Sequence, residues 1–186
     1  FMRKVRPRFL PTTPGISNFL ELNVRTYVYD QSGTPGVWFF SLDANRRLAC
    51  ALGRSLFHLT YRRAAMTATE QAWIDYHGLR HGETQPAHYR YRATGSSRTA
   101  QPGSLEFFLL ERYVLYSWSP ANGALWRGRV HHPPYRINDA EVENFSTSPL
   151  QWNRQIAVTG PPQHACVSRR VDVSIFGLQN TTRTGR

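Results

Sequence analysis

Residues 36–66 read GVWFFSLDANRRLACALGRSLFHLTYRRAAM, and this stretch decides the fold. Val37 to Leu42 is an unbroken apolar and aromatic run of strand length with no polar face, as expected of a strand covered on both sides. Asp43 follows where a side-chain oxygen can accept from the free N–H groups of a first helical turn, so a helix is expected over Ala44 to Phe57. Leu48, Leu52 and Leu56 recur every fourth residue. At about 100° per residue they share a stripe with Ala44 and Ala51, whereas Arg46, Arg47 and Arg54 point elsewhere. The expectation is a helix that packs on a sheet by its leucines. His58 to Met66 then returns, carrying Tyr61, Arg62 and Arg63.

Working outward, Phe19 to Tyr29 alternates, with Leu20, Leu22, Val24, Thr26 and Val28 on one face and Glu21, Asn23, Arg25, Tyr27 and Tyr29 on the other. The turn-rich loop Asp30 to Gly36 is short enough to make this strand an antiparallel neighbour of the 37–42 strand. Downstream, Ala72 to Leu79 and Ala87 to Thr94 read as strands, and Gly95 to Gly103 as a loop. Ser104 can cap a short helix over Leu105 to Arg112. Tyr113 to Trp118, Ala124 to Val130 and Val167 to Leu178 read as further strands, and Ala140 to Phe145 fits either a short strand or a helix. The expected fold class is β-rich α+β: a curved antiparallel sheet or barrel with one main helix, 44–57, packed on it.

At 186 residues the chain is read as a single domain, able to bury roughly 70% of the surface its unfolded form exposes. Phe1 to Ser17 is a basic, proline-rich leader, and Gln179 to Arg186 reads as a flexible tail. Cys50 and Cys166 lack zinc-ligand spacing and are too few for a disulfide framework, so they read as reduced thiols of a cytoplasmic protein. There is no apolar stretch near 18 residues and no charged-then-apolar signal, so no membrane association is expected. The formal charge is +11, yet Lys4 is the only lysine among 23 basic residues. The arginines are spread along the chain, with one cluster at Arg3 to Arg8, which favours a solvated basic surface over a nucleic-acid stripe.

Glu21, Asn23, Arg25 and Tyr27 line one strand face, with about 7 Å between alternate residues. If that face lines a pocket, Glu21 can carry a proton and Arg25 can clamp a carboxylate; if not, it is a solvent face. Tyr61 and Arg62 offer a hydrogen-bond donor and an anion clamp just after the helix. His131 and His132 are adjacent on a strand and point to opposite faces, and His77 and His81 have no acidic or cysteine companion at useful spacing, so no metal site is expected. There is no glycine-rich phosphate loop and no Gly-x-Ser-x-Gly elbow, and no cofactor is expected.

Four phrases carry a resemblance: Phe19 to Val28 (FLELNVRTYV), Pro35 to Asp43 (PGVWFFSLD), Phe107 to Tyr116 (FFLLERYVLY) and Arg127 to Pro134 (RGRVHHPP). Together they closely resemble the YqjF-like family of bacterial domains of unknown function, over Val5 to Leu178. The resemblance implies further N-terminal strands ahead of this segment, and a fold that is a distant branch of the acetoacetate decarboxylase-like superfamily, with an internal cavity. In those decarboxylases a glutamate on an early strand faces a Schiff-base lysine that follows a Gly-Arg-Glu segment and a Tyr-Pro-Lys-Lys turn. Set beside them, Glu21 falls at the glutamate, Gly53-Arg54-Ser55 at the Gly-Arg-Glu, and Tyr61 at the lysine. A Schiff base needs a primary amine, and Lys4 lies in the leader, so imine-forming decarboxylation is not expected.

The expected function is binding or transformation of a small hydrophobic or keto-type carboxylate without a Schiff-base lysine. Glu21 and Tyr61 are the candidate catalytic residues, and Asn23, Arg25, Arg62 and His132 the candidate ligand-binding residues. The alternative is a non-catalytic interaction module that uses its arginine-rich surface, with nucleic acid as a possible partner. Substrate identity and oligomeric state are left open.

Overall fold

The computed structural model describes residues 1–6, 11, 17–155 and 158–181. Most of the proline-rich leader and the last five residues of the expected tail lie outside the described residues. Among the described residues, ten strands and three helices follow in chain order: β1 (Glu21–Tyr29), β2 (Pro35–Ala44), α1 (Arg47–Phe57), β3 (Tyr61–Glu70), β4 (Ile74–Arg80), β5 (Ala87–Thr99), α2 (Leu105–Leu110), β6 (Val114–Ser119), β7 (Ala124–His131), β8 (Arg136–Asn144), α3 (Ser148–Trp152), β9 (Cys166–Val167) and β10 (Ser174–Asn180). The fold is β-rich α+β, as expected.

The strands hydrogen-bond in the order β10-β7-β6-β2-β3-β4-β5-β8-β9, with β1 beside β2. The sheet is mixed and its strand order is open. β2 runs parallel to both β3, with Leu42 opposite Tyr61, and β6, with Val37 opposite Leu115. Its continuous apolar sequence suits a strand between parallel neighbours, where Val37, Leu42 and Ala44 are buried and Phe40 stays 36% exposed. The 36–66 stretch is therefore a β-α-β unit, β2-α1-β3.

The chain divides into two units. The first comprises Phe1–Val24, Phe39–Tyr91 and Val142–Pro161, and the second Arg25–Trp38, Arg92–Glu141 and Pro162–Arg186. In the first, β3, β4 and the start of β5 form an antiparallel meander, with Met66 opposite Gly78 and Tyr76 opposite Tyr89. Its core gathers Phe19, Ala44, Ala49 and Cys50, with Met2 and Tyr61 packed against them. In the second, β6 pairs antiparallel with β7 and β7 with β10, and Ser104 caps α2 by accepting from the Phe107 N–H at 3.1 Å.

Two expectations about α1 are corrected. Asp43 is not its cap. It is the ninth residue of β2 and fully buried, while the helix begins at Arg47 with no side-chain cap. Nor do the leucines face inward: Leu48, Leu52 and Leu56 are 57, 43 and 61% exposed, and the buried residues are Ala49, Cys50 and Gly53. The buried stripe is thus offset by one residue from the leucine stripe. The reason is the closeness of β3. A Cβ added to Gly53 would lie 2.3 Å from two ring carbons of Tyr61, so only small residues fit between helix and strand. His58, in the left-handed region at φ 50°, ends the helix as the Leu59 N–H bonds back to the Gly53 carbonyl at 3.2 Å.

Candidate functional site

The first unit brings three of the candidate residues together. Glu21 opens β1 and Tyr61 opens β3, and the Tyr61 hydroxyl donates to Glu21 Oε2 at 2.7 Å. Asn23, two residues on along the same strand face, helps to lower the Glu21 pKa, and the Tyr76 hydroxyl donates to the Glu21 backbone carbonyl at 3.0 Å. α1 supports the arrangement through Gly53, which gives the Tyr61 ring its room. Glu21 is half-buried, and the part removed from water is its carboxyl. Burial pushes its pKa above the usual carboxylate range, the hydrogen bond from Tyr61 and the Asn23 side chain oppose that rise, and buried Asp43 adds to it. Burial and the neighbouring Glu21 push the Tyr61 phenol well above its ordinary value. Tyr61 is therefore a fixed neutral donor, whose proton is already committed to Glu21. In chemical terms the pair is a desolvated carboxyl held in one orientation, able to take or give a proton.

The remaining candidates lie elsewhere. Arg62 is exposed and, as the next residue on β3, points away from the face that carries Tyr61. Arg25 belongs to the second unit, where it is exposed, donates to the Leu109 carbonyl at 3.1 Å and lies over the Tyr27 ring. His132 is 4% exposed in the same unit, with Nδ1 2.9 Å from the Pro133 carbonyl oxygen and its ring stacked on Tyr113. These are the contacts of a packed histidine. Lys4 is exposed, and its backbone N–H donates to Asn18 Oδ1.

Two clusters have no forerunner in the sequence reading. Arg80 is 7% exposed and holds fully buried Asp43 by two bonds, Nε to Oδ1 at 2.6 Å and Nη2 to Oδ2 at 2.8 Å. It also donates to Ser41 Oγ at 2.6 Å and to the carbonyl of Trp152, the last residue of α3, at 2.8 Å. Every guanidinium nitrogen is engaged, so this is a structural clamp. The other cluster joins Asp75, His77 and His88 on β4 and β5. Asp75, two residues before His77, is the acidic companion that histidine was expected to lack. In the second unit, Arg127, Arg129 and His131 alternate along β7 and, with Tyr113 and Phe176, line a groove of about 410 Å³ in which the Arg129 guanidinium lies over the Phe176 ring.

The sequence that folds in this way matches a family already delineated by sequence. Over residues 1–172 the chain fits the family model DUF2071, described as "Uncharacterized conserved protein", and it belongs to that family. Among curated proteins it is similar to "Uncharacterized protein YqjF" of Bacillus subtilis (strain 168), with 40% identity over 144 residues that cover 76% of this chain and 58% of that protein. The match thus covers less than two thirds of that relative's length. Among the described residues no helix is long and apolar enough to cross a membrane.

Proposed function

We propose that Glu21, Tyr61 and Asn23 form a lysine-free site that binds a small hydrophobic or keto-type carboxylate, with Glu21 as its proton carrier. The observation that carries this reading is the 2.7 Å bond from Tyr61 to a carboxyl that burial has made less acidic. A carboxyl of raised pKa keeps its proton at a pH where an ordinary one has lost it, and can donate it to a ligand's carboxylate or carbonyl oxygen. Ionised, the same group can accept a proton from a carbon beside a carbonyl. Tyr61 acts as a positioning residue, since its hydroxyl orients Glu21 and its phenol stays protonated. The resemblance to acetoacetate decarboxylase-like proteins supports the placement of Glu21, and Tyr61 at the lysine position directs the site away from imine chemistry.

The test is calorimetric titration of the protein with keto acids, acyl carboxylates and aromatic acids, in two buffers of different ionisation enthalpy. One carboxylate class should bind with uptake of a proton, and Glu21→Gln should abolish the uptake. Binding by no member of the panel, or binding unchanged in Glu21→Gln, would overturn the reading. A second reading rests on a separate observation, the alternation of Arg127, Arg129 and His131 beside Phe176, which suits an anionic polymer whose bases can stack. It predicts salt-sensitive binding of single-stranded RNA that Arg127→Ala and Arg129→Ala weaken and Glu21→Gln leaves intact.

A further inference from the structure

β4 and β5 are antiparallel, with His77 directly opposite His88 and Asp75 directly opposite Arg90. Side chains two apart on a strand share a face, so Asp75 and His77 stand on the same side of the ladder, and His88 meets them from the neighbouring strand. His77 Nε2 is 2.7 Å and His88 Nε2 2.9 Å from the same atom, Asp75 Oδ1. The imidazoles stack with centroids 4.1 Å apart and planes 10° from parallel. The three ligand atoms lie within 4.8 Å of one another.

We infer that Asp75, His77 and His88 form a binding site for a divalent cation of borderline softness, zinc being the best match. Two imidazole nitrogens and one carboxylate oxygen are a donor set that suits zinc, and three protein ligands leave a fourth position to water. Ligands 2.0–2.1 Å from a tetrahedral ion stand about 3.3 Å apart, so the two N–O separations need to widen by about half an ångström. The stacked rings must also turn out of their parallel arrangement so that both Nε2 lone pairs converge on the ion, and their exposure leaves room for that turn. The His77 side chain is 53% and the His88 side chain 34% exposed, which leaves an approach from solvent.

The surroundings are those of a supported site. Arg90 Nη1 bonds Asp75 Oδ2 at 3.0 Å, which leaves Oδ1 to face the imidazoles, and Glu143 holds Arg90 in turn. The Asn144 side-chain amide lies 2.7 Å from His88 Nδ1; turned so that its oxygen accepts the Nδ1–H, it leaves Nε2 of that ring unprotonated for the ion. Outer partners of this kind fix ring orientation and tautomer in metal sites.

The test titrates zinc alone into the chelator-treated full chain by calorimetry, with cobalt(II) as a spectroscopic probe. One equivalent should bind, with visible cobalt bands of a nitrogen- and oxygen-ligated, low-coordinate ion. His77→Gln and His88→Gln should each weaken binding tenfold or more, whereas His81→Gln and His131→Gln should not. Should a variant fail to fold, NMR of the unaltered protein decides, since zinc should shift the His77 and His88 ring nitrogens ahead of those of the other histidines. No saturable binding, affinity indifferent to both substitutions, or shifts confined to other histidines would overturn the inference.

Discussion

Replacing Arg80 by methionine separates two contributions of a buried ion pair. The Arg80 and Asp43 side chains are 8 and 0% exposed, and their contact is bidentate. Burying both charges has a large desolvation cost, which the pairing roughly offsets, so the intact pair adds little net stability. Removing one partner is different. In Arg80→Met the Asp43 carboxylate keeps, of its named side-chain partners, only the Ser41 hydroxyl at 3.2 Å, and the Trp152 carbonyl loses its donor. An uncompensated buried charge costs about 3–5 kcal/mol. For a chain of this length each kcal/mol moves Tm by about 2–4 °C, so Arg80→Met should lower Tm by about 6–20 °C. The double variant Arg80→Met/Asp43→Leu should recover much of that loss, because no charge is then stranded. Thermal and urea unfolding of the four proteins in a double-mutant cycle measure both quantities. A loss below about 1 kcal/mol in Arg80→Met, or a double variant as unstable as the sum of the singles, would refute the reasoning.

Other consequences follow from the packing of α1 and from Glu21. Gly53→Ala pits a gain of about 1 kcal/mol in helix propensity against a methyl 2.3 Å from the Tyr61 ring. The clash, about 1–3 kcal/mol as overpacking of tight sites costs, should outweigh that gain and leave Gly53→Ala less stable by up to about 2 kcal/mol in urea unfolding. Leu52→Gln, on the exposed stripe, should change stability by about 0.5 kcal/mol or less, whereas Ala49→Leu, on the buried one, should cost about 1–3 kcal/mol. Glu21 holds its proton more tightly folded than unfolded, so its contribution to stability is fully present below 4.5, the ordinary value, and is lost as pH rises through the folded pKa. Stability should therefore fall across that window, and Glu21→Gln should flatten the slope in pH-dependent urea titrations.

Local patterns in the sequence were legible where they depended on neighbouring residues. The apolar run 37–42 marks the interior strand β2, the alternation of 19–29 marks β1, and Ser104 caps α2. What escaped depended on residues far along the chain. Asp43 has the spacing of a helix cap, but Arg80, 37 residues on, makes it a strand residue with an ionic partner. The leucines of α1 have the period of a buried face, and only the nearness of Tyr61 explains why alanine, cysteine and glycine took that place. The extension of β5 to Thr99 runs through Gly95 at φ 65°, a conformation the serine- and glycine-rich segment hid within a loop reading. Of the candidate site, Glu21 and Tyr61 come together across 40 residues of sequence, with Asn23 two residues from Glu21 on the same strand face. His88 joins His77 by cross-strand register, which no spacing within the sequence reveals.

The central claim is that Glu21 is a proton carrier tuned by burial and oriented by Tyr61, and carbon-13 NMR titration of the Glu21 carboxyl tests it most directly. In the unaltered protein its pKa should lie above 4.5, and in Tyr61→Phe, which loses a hydrogen bond that favours the ionised form, it should rise further. A Glu21 that titrates at or below the ordinary value, or one that Tyr61→Phe leaves unmoved, would contradict the account.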